Sequence, residues 1–267
     1  MTVKSRLAVI VPVYRNHLSD NERLSLRHLE HFLPEADNFL VMPETLDFQR
    51  NGYRKVNFAP ALFDGLTGYN RLMLSKEFYA RFEEYEFILI YQLDAIILSS
   101  DIERFLDMDV DYLGAPWIEY HANGAPYFTN VGNGGLSLRR VSAFRRLLES
   151  RLLLPSPTPR EYYRRYSGAP FERRLIGLCR SGLKVFRKRE TIQRKLAGPF
   201  GNEDMFIAAE AEKYSPGFTI GSLGQALEFA FEREPRFCYE KAAGRIPLGA
   251  HAWALYDRPF WEPYLLS

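Results

Sequence analysis

Asp94 closes the apolar run Phe87-Ile-Leu-Ile-Tyr-Gln-Leu-Asp94, and a second apolar run, Ala95-Ile-Ile-Leu98, follows at once. The pattern reads as a buried strand with one carboxylate where the apolar run is interrupted. A charge in that setting is expensive unless it caps a helix, joins an ion pair or holds a metal ion. Four further features could share its chemistry. The first strand ends in Pro12-Val13-Tyr14-Arg15, an edge suited to a nucleotide base. Gly65-Leu-Thr-Gly68-Tyr-Asn70-Arg71 is either a plain turn or a loop whose helix start and arginine address phosphate. Asn130-Val-Gly132-Asn-Gly134-Gly135-Leu-Ser-Leu-Arg139 places three glycines before a short strand, either as a hairpin or as backbone open to a ligand. Gly201-Asn-Glu203-Asp204 opens an amphipathic helix, and Pro247-Leu-Gly-Ala-His251-Ala-Trp253 stands near the C-terminus. Glu203 and Asp204 serve helix-start electrostatics or proton transfer. His251 is a core histidine or a metal ligand. Trp117, Trp253 and Trp261 stack on sugar rings or pack in the core.

The elements that must position these residues are legible in outline. Leu7-Ala-Val-Ile-Val-Pro-Val13 is a continuous apolar run of strand length, as expected of a parallel strand covered on both faces. Ser19-Asp-Asn-Glu22 is a capping-box pattern, with Leu26, Leu29 and Leu33 following at helical spacing. Asn38–Met42 and Val56–Phe58 read as strands, Asn70–Tyr85 as one helix, and Val110–Gly114 as a further strand. Ser100-Asp-Ile-Glu103 repeats the capping-box pattern before a short helix. This alternation predicts an open, mainly parallel α/β sheet sandwiched by helices, with ligands beyond the carboxyl ends of its strands, where Asp94 lies.

The stretch 151–200 differs. It holds thirteen Lys or Arg against three Glu, a local charge of +10 in a chain whose total is +2. Phe171, Leu175, Cys179, Leu183 and Phe186 recur at helical spacing, which predicts an amphipathic basic helix. It is either a solvated face or, over 160–195, a contact with an anionic membrane surface or a phosphorylated lipid-linked acceptor. The whole of 1–267 reads as one domain with 151–200 as a basic, largely helical insertion. A hydrophobic fraction of 46% is ample for a core, and the small net charge gives no case for nucleic acid. Two cysteines argue against a disulfide-stapled secreted fold and suit a cytoplasmic protein. No apolar run approaches the ~18 residues of a membrane span.

Competing chemistries are poorly served. Glu203 and Asp204 lie roughly 100° apart on one helix and cannot face each other across a glycosidic bond. A dinucleotide-binding fold wants a G-x-G-x-x-G after the first strand, and Val13-Tyr-Arg-Asn-His17 has none.

The order of first strand, xxD strand end, glycine-rich loop, xED helix start and late histidine resembles the GT-A glycosyltransferases. More narrowly, the chain is similar to a mostly bacterial family of GT-A-like proteins of unknown function. The matching stretches are Tyr91-Gln-Leu-Asp-Ala95, Gly114-Ala-Pro-Trp117, Gly132–Arg139, Asn202-Glu-Asp-Met-Phe206 and Ile246–Trp253. The resemblance implies a Rossmann-type three-layer α/β/α sandwich that moves a sugar from a nucleotide-sugar donor, with UDP favoured, to a saccharide or glycolipid hydroxyl. Bacterial surface polysaccharide is the implied product, made at the inner face of the cytoplasmic membrane. It implies Mn²⁺ or Mg²⁺ held by Asp94 and His251, and Asp204 as the general base of an inverting reaction, with Glu203 beside it. Pro12, Val13, Tyr14, Arg15, Gly68, Asn70, Arg71, Gln92, Leu93, Asp94, Gly134 and Gly135 are then the donor-side residues, and Trp117 and Trp253 face the acceptor. Gln92 departs from the pattern, standing where the first Asp of a DxD motif would be. That departure supports a rival reading, a non-catalytic carbohydrate-binding or nucleotide-sugar-binding protein on the same scaffold.

Overall fold

The computed structural model describes residues 5–155, 189–198 and 201–266. Eleven strands are found among them: β1 (Ser5–Pro12), β2 (Asp37–Pro43), β3 (Tyr53–Phe58), β4 (Tyr85–Tyr91), β5 (Ile96–Ile97), β6 (Tyr112–Gly114), β7 (Pro116–Tyr120), β8 (Pro126–Val131), β9 (Leu136–Arg140), β10 (Ala230–Phe231) and β11 (Gly249–Ala250). Six form the main sheet in the order β3-β2-β1-β4-β9-β6. β3, β2, β1 and β4 run parallel, and β9 is antiparallel to both of its neighbours.

The apolar runs of β1 and β4 are explained by burial on both faces. Val9, Val11, Phe87, Leu89 and Tyr91 point into one core with Leu26 and Leu29 of the helix Asp20–Phe32. Ala8, Ile10, Ile88 and Ile90 point into the other, with Leu72, Phe78, Phe144 and Ile207 from helices on the opposite side. Three layers, α/β/α, follow from that alternation.

The Ser19–Glu22 capping box forms as its pattern predicts. Two local expectations are corrected. The stretch 70–85 is not one helix: Gly65–Met73 ends at Leu74, and Lys76–Ala80 restarts with the Ser75 hydroxyl accepting the Phe78 N–H. A serine that can cap competes with continuation of the helix. The Ser100–Glu103 pattern makes no capping box; the helix Glu103–Leu106 starts after Ile102 without a side-chain cap. The basic stretch 160–195 lies mostly outside the described residues. Among those described, Thr191 caps a short helix, Ile192–Leu196, and no helix is long and apolar enough to cross a membrane.

A second, three-stranded sheet, β10-β11-β5, carries the functional logic. The antiparallel pair Ala250↔Ile96 brings His251 beside the Gln92–Asp94 turn, and the parallel pair Phe231↔Ala250 brings Glu232 beside His251. Residues from three distant parts of the chain meet because these two pairings share one strand.

Candidate active site

β4 ends at Tyr91, and Gln92–Asp94 form a turn closed by the Ala95 N–H on the Gln92 carbonyl (2.8 Å). The turn is anchored beneath by Tyr91, whose hydroxyl contacts the carbonyls of Ser25 (2.7 Å) and Ala95 (2.9 Å). Asp94 is thereby held at the carboxyl end of the sheet with 54% of its side chain exposed. Its Oδ1 lies 3.2 Å from His251 Nε2. Gln92 Oε1 lies 3.2 Å from the same nitrogen, and the other ring nitrogen, Nδ1, lies 3.2 Å from Glu232 Oε1. Burial alone would lower the His251 pKa, but the hydrogen bonds and charges of Asp94 and Glu232 outweigh it and raise it to about 10. Partial burial pushes the Asp94 carboxyl up, and the His251 hydrogen bond and charge more than reverse this, leaving it below the usual carboxylate range.

Gln92, Leu93 and Asp94 also line a cleft of about 660 Å³, together with Pro12, Tyr14, Arg15, Glu22, Phe63, Gly65, Leu66 and Tyr69. Arg15 reaches across to Glu22 Oε1 (2.5 Å), and its guanidinium lies 5.6 Å from the Tyr14 ring. Tyr14 is mostly exposed, as a residue offering a ring face to a ligand would be.

Several expected donor-side residues are placed elsewhere. The Val13 side chain is fully buried in the core and its N–H is taken by the Val41 carbonyl. A Cβ on Gly68 would stand 2.6 Å from the Ala61 carbonyl oxygen, so this glycine serves close packing of two turns rather than phosphate. Asn70 is buried and accepts the Glu203 N–H on Oδ1 (3.3 Å), which ties its helix to the start of the helix Glu203–Tyr214. Arg71 is exposed and outside the cleft lining. Gly134 and Gly135 do permit close approach, but by the protein's own side chains. A Cβ on Gly134 would lie 2.4 Å from Glu203 Oε1, and one on Gly135 would lie 2.0 Å from His251 Nε2.

Asp204 packs against Gly134 as His251 packs against Gly135, and it is not among the residues lining the cleft. Its Oδ2 accepts the Gly134 N–H (3.3 Å) and its Oδ1 the Met205 N–H (2.7 Å). A helix start is expected to keep a carboxylate strongly acidic. Here burial and the neighbouring Glu203 charge instead raise the Asp204 pKa to about 6, against the lowering influence of those two N–H groups and Arg139. Glu203 gives its carboxylate to Arg139 (Oε1 to Nη2, 3.0 Å) in an ion pair closed to solvent. Trp117 is half-buried at the start of the β7–β8 hairpin. Trp253 has no exposed surface and packs in the C-terminal cluster with Ile96, Phe231 and Trp261, so it offers no ring face to an acceptor. Sequence reasoning misses Glu22, Arg139 and Glu232 as site residues. Arg139 stands inside the glycine-rich stretch and Glu22 inside the Ser19–Glu22 capping-box pattern, which accounts for it as a helix cap; nothing local marks Glu232.

A divalent cation fits the pair Asp94–His251 on donor chemistry. Ligands in adjacent positions on one ion at about 2.1 Å each lie about 3 Å apart, close to the spacing of these two atoms. A ligating histidine also needs its second nitrogen held, as Glu232 holds it. The protein supplies two such donors, and no group of three His, Cys, Asp or Glu stands ready to hold a metal among the described residues.

Residues 52–251 match the family described as protein of unknown function (DUF5672). The chain belongs to that family. The match runs from the turn before β3 to His251, and so takes in the Gln92–Asp94 turn, both glycines and Asp204. No curated protein sequence matches the chain significantly. Among solved structures it is similar to a glycosyltransferase involved in glycosylation of the major capsid of PBCV-1, at 10% identity over 97% of this chain and 98% of that one, with a TM-score of 0.48. It is similar to the galactosyltransferase LgtC in complex with donor and acceptor sugar analogues, at 13% identity over 94% and 87%, with a TM-score of 0.46. The glycosyltransferase GlyE of Streptococcus pneumoniae TIGR4 is similar at 11% identity and a TM-score of 0.45; the chain covers 60% of that protein's length.

Proposed function

We propose that this protein is a glycosyltransferase that moves a sugar from a nucleotide-sugar donor, with UDP favoured by the GT-A resemblance, to a hydroxyl of a saccharide or glycolipid. The observation that carries the reading is the contact of Asp94 Oδ1 with His251 Nε2 at the rim of the cleft, 3.2 Å apart. A diphosphate leaving a sugar gains negative charge. A divalent cation held by Asp94 and His251 would neutralise that charge, which is worth several kcal/mol at a transition state. Tyr14 and Arg15 supply a ring face and a guanidinium on the cleft wall for the nucleoside.

Asp204 is the proposed base. Its two N–H contacts fix the carboxylate plane, and a pKa of about 6 leaves it ionised at neutral pH yet basic enough to accept a proton. As the acceptor oxygen forms its bond to the anomeric carbon, the bond from that carbon to the diphosphate oxygen breaks. The acceptor's proton passes to Asp204, and the configuration inverts. Bacterial surface glycans are the product class that the resemblance suggests, and the basic stretch 160–195 is the part of the chain suited to an anionic lipid surface.

The non-catalytic reading has one specific support: beside Asp94, the group that faces His251 Nε2 is the neutral Gln92 Oε1 and not a second carboxylate. Turnover separates the two. Purified protein with Mn²⁺ and a panel of nucleotide sugars is expected to release nucleoside diphosphate from one of them, and Asp94→Ala and Asp204→Asn are expected to abolish release while the proteins stay folded. Binding of a donor without turnover, whatever saccharide acceptor is added, establishes the binding protein instead.

A further inference from the structure

We propose that Arg139 is the positioning residue of this site: acting through Glu203 and the Gly134 peptide, it fixes the place and the charge surroundings of Asp204. The inference rests on the reading of Asp204 as general base. Arg139 lies on β9 with no exposed surface. Taking a guanidinium wholly out of water is costly, and apolar residues of similar volume often stabilise a fold at least as well. Stability alone therefore gives no reason for an arginine here. Its hydrogen bonds do. Nε donates to Ser137 Oγ (3.0 Å), Nη1 to the Tyr79 hydroxyl (3.2 Å), and Nη2 to both Glu203 Oε1 (3.0 Å) and the Gly134 carbonyl (3.5 Å). Ser137 Oγ donates to the same Gly134 carbonyl (2.9 Å). The rings of Tyr112 and Phe144 lie 5.5 and 5.6 Å from the guanidinium carbon and limit its movement.

Two elements from opposite parts of the chain are thus held by one planar cation. One is the glycine loop, whose Gly134 N–H donates to Asp204 Oδ2. The other is the helix start, whose Glu203 precedes Asp204. The contact has no slack, since a Cβ on Gly134 would meet Glu203 Oε1 at 2.4 Å and the Asp204 Cβ at 3.3 Å. The charged groups that act on Asp204 are Glu203 on its own helix, which raises its pKa, and Arg139 from β9, which lowers it. Tyr112 from β6 feels the Asp204 charge but stays protonated. Glu203 and Arg139 pull in opposite directions, and the first prevails.

Three variants test this. Arg139→Met is expected to lower kcat about 10²-fold, the scale of a displaced catalytic group, with the donor KM nearly unchanged. Arg139→Lys keeps the charge without the fork and is expected to recover part of that loss. Glu203→Gln removes charge at constant size. It is expected to move the acid limb of the kcat/KM profile, and the Asp204 carboxyl titration followed by carbon NMR, to lower pH. Folded variants with wild-type kcat and Asp204 titration overturn the inference, and so does a loss confined to the melting temperature. If Arg139→Met fails to fold, Arg139→Gln takes its place. The NMR arm needs no turnover: loss of the Arg139 charge is expected to move the Asp204 titration to higher pH, opposite to Glu203→Gln, and a protein that transfers no sugar yet shows that upward shift retains the positioning role and loses only the transferase reading.

Discussion

His251 Nδ1 lies 3.2 Å from Glu232 Oε1, and this contact determines which way the opposite ring nitrogen faces. Glu232 is itself held, with Oε2 accepting the Asn133 Nδ2 donor at 2.9 Å. A carboxylate that orients a histidine and raises its basicity is a recurrent support of metal ligands, and its loss costs about 10–100-fold in metal affinity. Glu232→Gln is therefore expected to weaken Mn²⁺ binding by that factor in isothermal titration, while Asn133→Ala does so less. Unchanged Mn²⁺ affinity in Glu232→Gln would show that the ion does not use His251.

The same cluster predicts how binding depends on pH. With its pKa raised to about 10, His251 carries a proton on both nitrogens at neutral pH in the metal-free protein. An ion that takes Nε2 must displace one of them. Mn²⁺ affinity is expected to rise about tenfold per pH unit between about pH 6 and 9, with one proton released per ion. Titrations in buffers of different ionisation enthalpy measure that proton directly. For the metal-free fold the sign is opposite. A histidine whose pKa is raised on folding contributes stability that is fully present below about 6.5 and is lost as pH climbs through about 10. A pH-independent Mn²⁺ affinity would sink this account.

Gly135 and Gly224 have opposite expected responses to alanine. A methyl group at Gly135 would stand 2.0 Å from His251 Nε2, and the ring has little freedom to withdraw because Glu232 holds its other side. Gly135→Ala is expected to cost ~1–3 kcal/mol in urea unfolding, as overpacking does, and to abolish Mn²⁺ binding. Gly224, in the helix Leu223–Phe229, has open space where a Cβ would stand, with no atom within 4 Å, and no left-handed backbone. Gly224→Ala is expected to stabilise the protein by ~0.5–1 kcal/mol, through helix propensity and a less flexible unfolded chain. Equal effects at the two sites would mean that the glycine loop is not packed as described.

What the sequence reveals depends on range. β1 and β4 are legible because two-sided burial leaves an unbroken apolar run, and the Ser19 cap because its partner is three residues away. Asp94, Asp204 and His251 are identifiable as chemical groups, but their relation is not: Asp94 and His251 meet because β11 pairs with β5, and Asp204 is placed separately by the Gly134 N–H and by Asn70 at its helix start. Glu232 stays hidden for a like reason, the pairing of β11 with β10: in sequence it is one acid in Phe-Glu-Arg-Glu. Gly134 and Gly135 stand out and suggest a ligand, because a sequence does not say whose atoms come close. The pKa of Asp204 departs from expectation because the helix-start rule assumes solvent, and burial beside Glu203 removes it.

His28 offers a test of how the site's floor is held. It is fully buried on the first helix, with Nδ1 2.8 Å from the Ile97 carbonyl and Nε2 accepting the Leu266 N–H at 3.0 Å. Those partners require a neutral ring with its proton on Nδ1. The residue thereby fastens β5, just beyond Asp94, to the first helix and to the C-terminal tail. Burial lowers its pKa, against the raising influence of the Ile97 bond. A histidine whose pKa is lowered on folding contributes stability that is complete above about 6.5 and is lost as pH falls through the lower native value. Asp204, raised to about 6, works in the opposite direction as pH falls, so the wild-type curve alone does not isolate His28. The comparison with His28→Phe does. The variant is expected to be less stable by ~1–3 kcal/mol at neutral pH, from two buried partners left unpaired. Its melting temperature is expected to fall less steeply than the wild type's below about pH 6.5. Parallel melting curves across that range would mean that His28 does not remain neutral in the folded protein, and that the tail is held by something other than its Nε2.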